Sequence, residues 1–467
     1  MTATPAPNRL LAWYGDDFTG AAAVMEAMAF AGVSSVLFLD RPTPQDLADF
    51  PAAEAIGIAG SARAQTPDWM ARELPAVFAS LKSMRADLTL YKICSTLDSS
   101  PDIGSIGCAV DLALQVFAPT LVPVMPAAPP IGRWQAFGTL FARAGTGIHR
   151  LDRHPVMQQH PVTPMTEADV ARHLSAQTDQ PIGCLMLTDL AAPDGGAAAL
   201  AAMERAGTRL VTLDCTTEAD LARIGALLWQ RRGPEAFVAG SQGVAYALTR
   251  HLVATGQLPP PAPSPVRTDP VDRIAVVSGS VSAVTEAQIA WAEANGFGLV
   301  ALDPAAVIDP TQQAKEIART TEAALAVLSR GDSVLVHSAR GPDDARVLAF
   351  RNALAQHRLA PDIANRRIGE ALGEILVTLW QRAGLKRLVA SGGDTSGEVA
   401  RKLGLRALTA LAETVPGAAL CTGHLPKGAT VEIALKGGQM GTTDYFSRVR
   451  QGGASSAHPD TQGLRGA

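Results

Sequence analysis

Five of the seven residues from Pro259 to Pro265 are proline. Such a run cannot sustain a helix ladder or a central strand, and it prefers an extended, semi-rigid course. It therefore divides the chain, and each side must close a core of its own. The length of 467 residues supports the division, since one hydrophobic core rarely serves so many. The sequence reads as an N-terminal domain over 1–257, a Pro-rich linker over 258–270, a C-terminal domain over 271–450 and a disordered Gly/Ser/Ala-rich tail over 451–467.

On both sides of the break, short apolar runs alternate with Ala- and Leu-rich helical stretches. Upstream the runs are Val36 to Leu39, Leu88 to Ile93, Thr120 to Val124, Cys184 to Leu187, Leu210 to Leu213 and Phe237 to Ala239; downstream they are Ile274 to Val277, Leu299 to Leu302 and Val334 to Val336. That rhythm predicts α/β architecture: two domains, each with a mainly parallel sheet flanked by helices. A helix over Arg366 to Ala383 would place Ile368, Leu372, Ile375, Leu376 and Leu379 on one core-facing stripe.

Composition excludes several function classes. With 47% hydrophobic and 18% charged residues the chain can bury a core and is not a disordered one. A net charge of −4 offers no electrostatic footprint for nucleic acid. The cysteines Cys94, Cys108, Cys184, Cys215 and Cys421 form no C-x-x-C pair and have no His at metal spacing, which fits a reducing cytoplasm and indicates neither a disulfide framework nor a zinc site. Met1 to Asn8 lacks an apolar h-region, and no run of 18 apolar residues occurs, so neither secretion nor a membrane partner is expected.

Five segments carry chemistry. Ser391-Gly392-Gly393-Asp394-Thr395-Ser396-Gly397 follows the apolar Leu388-Val389-Ala390 and precedes a helical pattern. Glycines there let backbone N–H groups approach a phosphate, and the helix adds the positive end of its dipole. The plainer alternative is an ordinary strand-to-helix turn. At the other end, Arg9 to Tyr14 runs into Gly15-Asp16-Asp17-Phe18-Thr19-Gly20, which sets two adjacent carboxylates at a strand's C-terminal edge. Ligands of open α/β sheets bind at that edge, where a carboxylate can hold a sugar hydroxyl, bind a metal or abstract a proton. Capping of the helix Ala21 to Ala31 by Asp17 or Thr19 is the alternative, but a cap needs only one such residue. Tyr91-Lys92-Ile93-Cys94-Ser95-Thr96-Leu97-Asp98-Ser99-Ser100-Pro101 packs a cation, hydroxyls and a carboxylate into one turn, a set suited to a small polyhydroxylated anion. Gly132-Arg133 offers a bidentate partner for a carboxylate, unless Arg133 is only surface charge. Leu435-Lys436-Gly437-Gly438-Gln439-Met440-Gly441 gives the second domain another Gly-rich turn, with a lysine of the kind that meets phosphates.

Taken together, Tyr14 to Gly20, Lys92 to Ser99, His160-Pro161-Val162-Thr163-Pro164-Met165, Gly240-Ser241-Gln242-Gly243, Ser278-Gly279-Ser280-Val281-Ser282 and Gly392 to Gly397 resemble the four-carbon acid sugar kinase family, in the family's order and over nearly the whole chain. The resemblance implies an N-terminal domain that binds an acid sugar, a C-terminal domain that binds ATP, and γ-phosphoryl transfer to a terminal hydroxyl of a tetronate or 3-oxo-tetronate, with Mg²⁺ accompanying the nucleotide. It implies substrate contacts from Thr19, Lys92, Ser95, Thr96, Asp98, Arg133 and His160, with Lys92 and Arg133 on the carboxylate. Nucleotide contacts would come from Ser280, Gly392, Gly393, Asp394, Thr395 and Gly438. Asp17 would orient and deprotonate the acceptor hydroxyl, Asp16 standing beside it or on a metal; Asp394 is the competing base, and the metal ligands stay open. Where straight-chain tetronate kinases usually carry Tyr, Phe, Asn and a Ser-Gly-Asn-Phe run, this chain has Ile93, Leu97, Ile131 and Gly437-Gly438-Gln439-Met440. Arg150 to Pro155 and Met157 to Met165 look more like a subgroup linked to 3-oxo-isoapionate, a branched acid sugar. Two other classes compete, a nicotinamide-dependent oxidoreductase of a sugar acid and a non-catalytic sugar-acid sensor. The first strand lacks the G-x-G-x-x-G of the former, and the latter needs no second pair of Gly-rich turns. Whether the protein is a homo-oligomer stays open.

Overall fold

A computed structural model describes residues 9–262 and 264–453. The chain forms two compact units that meet in sequence between Pro261 and Ala262. The tail expected over 451–467 lies outside the described residues from 454 onward, whereas Gly452 accepts from Thr268 N–H at 3.0 Å and Gly453 donates to the Arg448 carbonyl at 2.9 Å. The linker is also shorter than the prolines suggest. Glu413 N–H donates to the Val266 carbonyl at 2.9 Å, Val271 N–H donates to the Arg450 carbonyl at 2.9 Å, and the Arg387 guanidinium donates to the Asp269 carbonyl at 2.8 Å, so residues 266–271 are tied to the second unit.

The strands of the first unit are β1 (Leu11–Gly15), β2 (Ser35–Phe38), β3 (Ala55–Ala59), β4 (Leu88–Lys92), β5 (Val122–Met125), β6 (Arg133–Ala136), β7 (Thr139–Ala144), β8 (Gly147–Arg150), β9 (Ile182–Leu185), β10 (Leu210–Leu213) and β11 (Phe237–Gly240). Its main sheet is parallel, in the order β2-β3-β1-β4-β11-β5-β10-β9. β1, β4, β10 and β11 are buried along their whole length, as strands covered by helices on both faces must be, which is why they read as unbroken apolar runs. The chain leaves β1 for β2 and β3 on one side and comes back to β4 on the other. That reversal opens a crevice at the carboxyl ends of β1 and β4, where Gly15 and Lys92 are in register. The helix Phe18–Ala29 starts three residues before the expected Ala21 and ends two before the expected Ala31, with Asp17 as its cap: the carboxylate accepts Gly20 N–H at 2.9 Å.

A second, antiparallel sheet, β6-β7-β8, was not foreseen. Its first turn has Phe137 at φ 50° and Gly138 at φ 75°, the twist that two-residue hairpins favour. The buried Asp214 holds this turn, accepting from Phe137 N–H at 2.5 Å, Gly138 N–H at 2.9 Å and the Gln135 amide at 3.2 Å.

The strands of the second unit are β12 (Ala275–Ser278), β13 (Phe297–Ala301), β14 (Ser333–His337), β15 (Arg387–Ser391), β16 (Ala407–Ala412), β17 (Leu420–His424) and β18 (Thr430–Lys436). In the order β13-β14-β12-β15-β18-β17-β16 the sheet is parallel as far as β18 and antiparallel beyond it. The chain reverses here too, from β14 on one side of β12 to β15 on the other, so the second crevice opens at the ends of β12 and β15. The helix Pro361–Ala383 buries Ile368, Leu372, Ile375, Leu376 and Leu379, the stripe read from the sequence.

Candidate active site

In the first unit the end of β1 places Asp16 and Asp17 against two cations. Arg63, in the turn after β3, grips buried Asp16 with both arms, Nη2 to Oδ1 at 2.6 Å and Nε to Oδ2 at 3.2 Å, and reaches Asp17 Oδ1 at 2.6 Å. Burial pushes the Asp16 carboxyl up, with the Arg63 charge opposing. Burial also opposes the charge on Arg63, but Asp16 and Asp17 outweigh it and hold that pKa above the ordinary arginine value. Lys92 ends β4 fully buried and donates to the Ile93 carbonyl at 2.7 Å; burial pulls its pKa down while the two aspartates oppose the shift. Gly20 makes the cluster compact: a Cβ there would lie 2.4 Å from Asp17 Oδ1 and 2.6 Å from Lys92 Nζ.

The two carboxylates differ in what they have left to give. Asp16 accepts from Arg63 at both oxygens. Asp17 is 28% exposed at its side chain, and its Oδ2 has no partner among the described residues. Thr19 lies in the first turn of the same helix, half-buried.

The loop after β4 carries the other expected residues. Cys94 Sγ lies 3.1 Å from Thr96 Oγ1 and is close enough to Arg63 and Arg133 to interact with both charges; Ser95 is half-buried beside it. Asp98 accepts from Thr163 Oγ1, which in turn meets His160 Nδ1 at 2.9 Å, with Asp98 and His160 themselves 3.8 Å apart. Arg133 does not stand on the main sheet, because it opens β6. Its Nη1 donates to the Gly132 carbonyl at 2.9 Å, its buried Nε has no partner, and burial lowers its pKa.

Sequence reasoning missed Arg63. The signal was the apolar run Ala55 to Ala59 followed by Gly60-Ser61-Ala62-Arg63, a short strand and turn that repeat the β1 layout.

In the second unit the crevice is lined by glycines and hydroxyls. Gly392, at φ 121°, turns β15 into the helix Gly393–Leu403, and a Cβ on it would lie 2.9 Å from Thr395 Oγ1 and 3.5 Å from Ser280 N. The left-handed residue is thus Gly392, and Gly393 takes an ordinary helical position where a Cβ would meet no protein atom within 4 Å. Asp394 is exposed at that helix start and Thr395 is buried. The Gly438 carbonyl accepts from Ser282 Oγ at 2.6 Å and Thr285 Oγ1 at 2.9 Å, and Thr285 donates as well to Ser280 Oγ at 3.1 Å. Ser280, Gly392, Thr395 and Gly438 therefore converge on one turn cluster, with backbone N–H groups at a helix start as an anion requires.

The division into units matches two family models, a sugar-binding N-terminal domain over residues 11–248 and a nucleotide-binding C-terminal domain over residues 275–446. The chain is 45% identical over 458 residues to the 3-oxo-isoapionate kinase of Paraburkholderia graminis, covering 98% of this chain and 97% of that protein. The chain belongs to the four-carbon acid sugar kinase family. Membership makes it an acid sugar kinase and sets aside the oxidoreductase and the sensor. The 3-oxo-tetronate kinase of Pseudomonas fluorescens is 29% identical over 451 residues, covering 95% of this chain and 97% of that one. The fold is shared with a Salmonella typhimurium LT2 structure carrying a tRNA synthase label (TM-score 0.76, 24% identity, covering 94% of this chain and 98% of that one). It is shared also with Haemophilus influenzae protein HI1011 (TM-score 0.70, 22% identity, covering 93% and 98%).

Among the described residues no helix is long and apolar enough to cross a membrane, and no group of three or more His, Cys, Asp or Glu is placed to hold a metal ion.

Proposed function

We propose that this kinase transfers the γ-phosphoryl group of ATP to a terminal hydroxyl of a branched 3-oxo acid sugar of the 3-oxo-isoapionate type, in carbohydrate catabolism. The observation that carries the reading is the 45% identity to a 3-oxo-isoapionate kinase against 29% to a 3-oxo-tetronate kinase, each over nearly the whole chain. The departures at Ile93, Leu97 and Ile131 point the same way.

Phosphoryl transfer needs charge neutralisation, in-line placement and a group to receive the acceptor's proton. Asp17 is that group. Its Oδ1 is fixed by Gly20 N–H and Arg63, and its Oδ2 is left for the hydroxyl. Asp16 orients Arg63. Lys92 and Arg133 supply positive charge for the substrate carboxylate; the unpartnered Arg133 Nε is the donor that such a carboxylate would complete. Thr19, Ser95, Thr96, Asp98 and His160 line the acid-sugar side, and Ser280, Gly392, Gly393, Thr395 and Gly438 cradle the phosphates. Asp394, at the start of the phosphate-facing helix, is better placed toward the nucleotide and its Mg²⁺ than as a base. Mg²⁺ bound with the nucleotide would neutralise phosphate charge, with Asp394 the residue of this turn that would meet it. The enzyme acts in the cytoplasm, a setting that fits cysteines scattered without a C-x-x-C pair.

The test is ADP release from ATP against a panel of tetronates, 3-oxo-tetronates and branched acid sugars. The reading expects the branched 3-oxo acid to give the highest kcat/KM, and preference for a straight-chain tetronate would overturn it.

A further inference from the structure

The end of β18 holds a charge that the chemistry above does not use. Lys436 is fully buried, and its Nζ donates to Thr285 Oγ1 at 3.4 Å and to the Gly437 carbonyl at 3.1 Å, 5.9 Å from the centre of the Tyr445 ring. No carboxylate among the described residues stands within ion-pair distance of it. None of the charged groups on the elements packed around it pairs with it, and Asp394, at the start of the Gly393–Leu403 helix, is exposed. Glu286, on the Thr285 helix, crowds Gly341; Asp444 pairs with Arg448 at 2.7 Å; Arg450 lies over the Phe297 ring; Glu432 pairs with Arg387 and Lys386; Glu398 pairs with Arg401.

Lys436 also ends a row of polar residues. Register places Ser391 beside it, Ser278 beside Ser391 and His337 beside Ser278, all buried and all on one face of the sheet. Ser391 Oγ, Ser278 Oγ and His337 Nδ1 have no hydrogen-bond partner. From Lys436 the bonds run through Thr285 Oγ1 to Ser280 Oγ and the Gly438 carbonyl, the turns assigned above to the nucleotide.

A buried cation without a counter-ion is costly, and proteins answer that cost by giving up the proton. Burial holds the Lys436 pKa down at about 7. A polyanion bound at the adjoining turns supplies the missing charge. We propose that Lys436 is the charge partner of the nucleotide's phosphates, taking up a proton from solvent when nucleotide binds at the Ser280 and Gly438 turns. The inference rests on the nucleotide-site reading. Its sign follows from linkage: well below about 7 the lysine is already charged and binding takes up nothing, while above it the bound state holds more protons, so affinity falls as pH rises.

Calorimetry with the magnesium complex of a non-hydrolysable ATP analogue, in buffers of different ionisation enthalpy, reads this directly. At about pH 8 the wild-type protein should take up close to one proton per nucleotide, and affinity should fall by up to tenfold per pH unit above neutrality. Lys436→Met removes an unpaired charge at similar length, so it should melt no lower than wild type and show neither effect. Nucleotide bound without proton uptake, or with equal uptake in the variant, would overturn the proposal. Absence of any binding would overturn the nucleotide-site reading beneath it. If Lys436→Met does not fold, the wild-type profile still decides, since a pH-independent affinity contradicts the coupling.

Discussion

At the β1–β4 edge of the first unit, Asp16 and Asp17 pair with Arg63 beside buried Lys92, whereas at the β12–β15 edge of the second the turn is mostly glycine and hydroxyl, with Lys436 buried behind it and without an ion-pair partner. Both edges lie where the chain reverses direction in a parallel sheet. The difference is in charge accounting. On the acid-sugar side Asp16, Asp17 and Asp98 stand with Arg63, Lys92 and Arg133, so carboxylates and cations are matched in number, and the unpartnered Arg133 Nε is the donor left for a monocarboxylate. The second site offers dipoles and a buried cation without an ion-pair partner, with Asp394 exposed at the helix start, which suits a polyphosphate carrying a metal ion. A common crevice is thus specialised by which side chains the turn admits.

The contrast can be broken from either side. The largest effect belongs to Asp17→Asn, which should lower turnover by about 100- to 10,000-fold while leaving nucleotide affinity unchanged. Steady-state kinetics and calorimetry check both halves, and an unaffected kcat would move the base to Asp394. Next, Arg63→Met leaves buried Asp16 without its counter-charge and should destabilise the protein by about 3 kcal/mol, read by urea unfolding. Because burial already raises the Asp16 pKa, the loss should shrink as pH falls and the carboxyl takes a proton. A loss independent of pH would show that packing, not charge, is what Arg63 supplies.

Smaller effects are expected at the second turn, which holds no paired charge. Gly392→Ala forces a Cβ into a φ of 121° and against Thr395, at a cost of about 1–3 kcal/mol visible in the melting temperature. Thr285→Val cuts the link from Lys436 to Ser280 and Gly438. It should cost about 1 kcal/mol in nucleotide binding, roughly a fivefold rise in Kd.

Much of this arrangement was legible in the sequence because strands buried on both faces read as apolar runs, and glycine and aspartate at their ends mark turns. β10 was located to the residue, and the aspartates and Lys92 were found. Arg63 was not, since its pairing spans 47 residues and its strand, Ala55 to Ala59, is made of alanine and glycine around two isoleucines. β6-β7-β8 stayed hidden because Phe137, not Asn or Asp, occupies the first turn position. Nor does a Gly-Gly pair reveal which member is left-handed: the strain sits at Gly392, and Gly393 faces open space.

That last fact makes Gly393→Val the most direct probe of the division of labour. An added Cβ meets no atom of another element within 4 Å and no left-handed backbone, so the fold should tolerate the substitution, while its methyl groups occupy the space where phosphate must touch the turn. Calorimetry on the folded variant should find binding of a non-hydrolysable ATP analogue abolished and binding of the acid sugar intact. Unchanged nucleotide affinity in that variant would contradict the assignment of the Gly392–Thr395 turn to the phosphates.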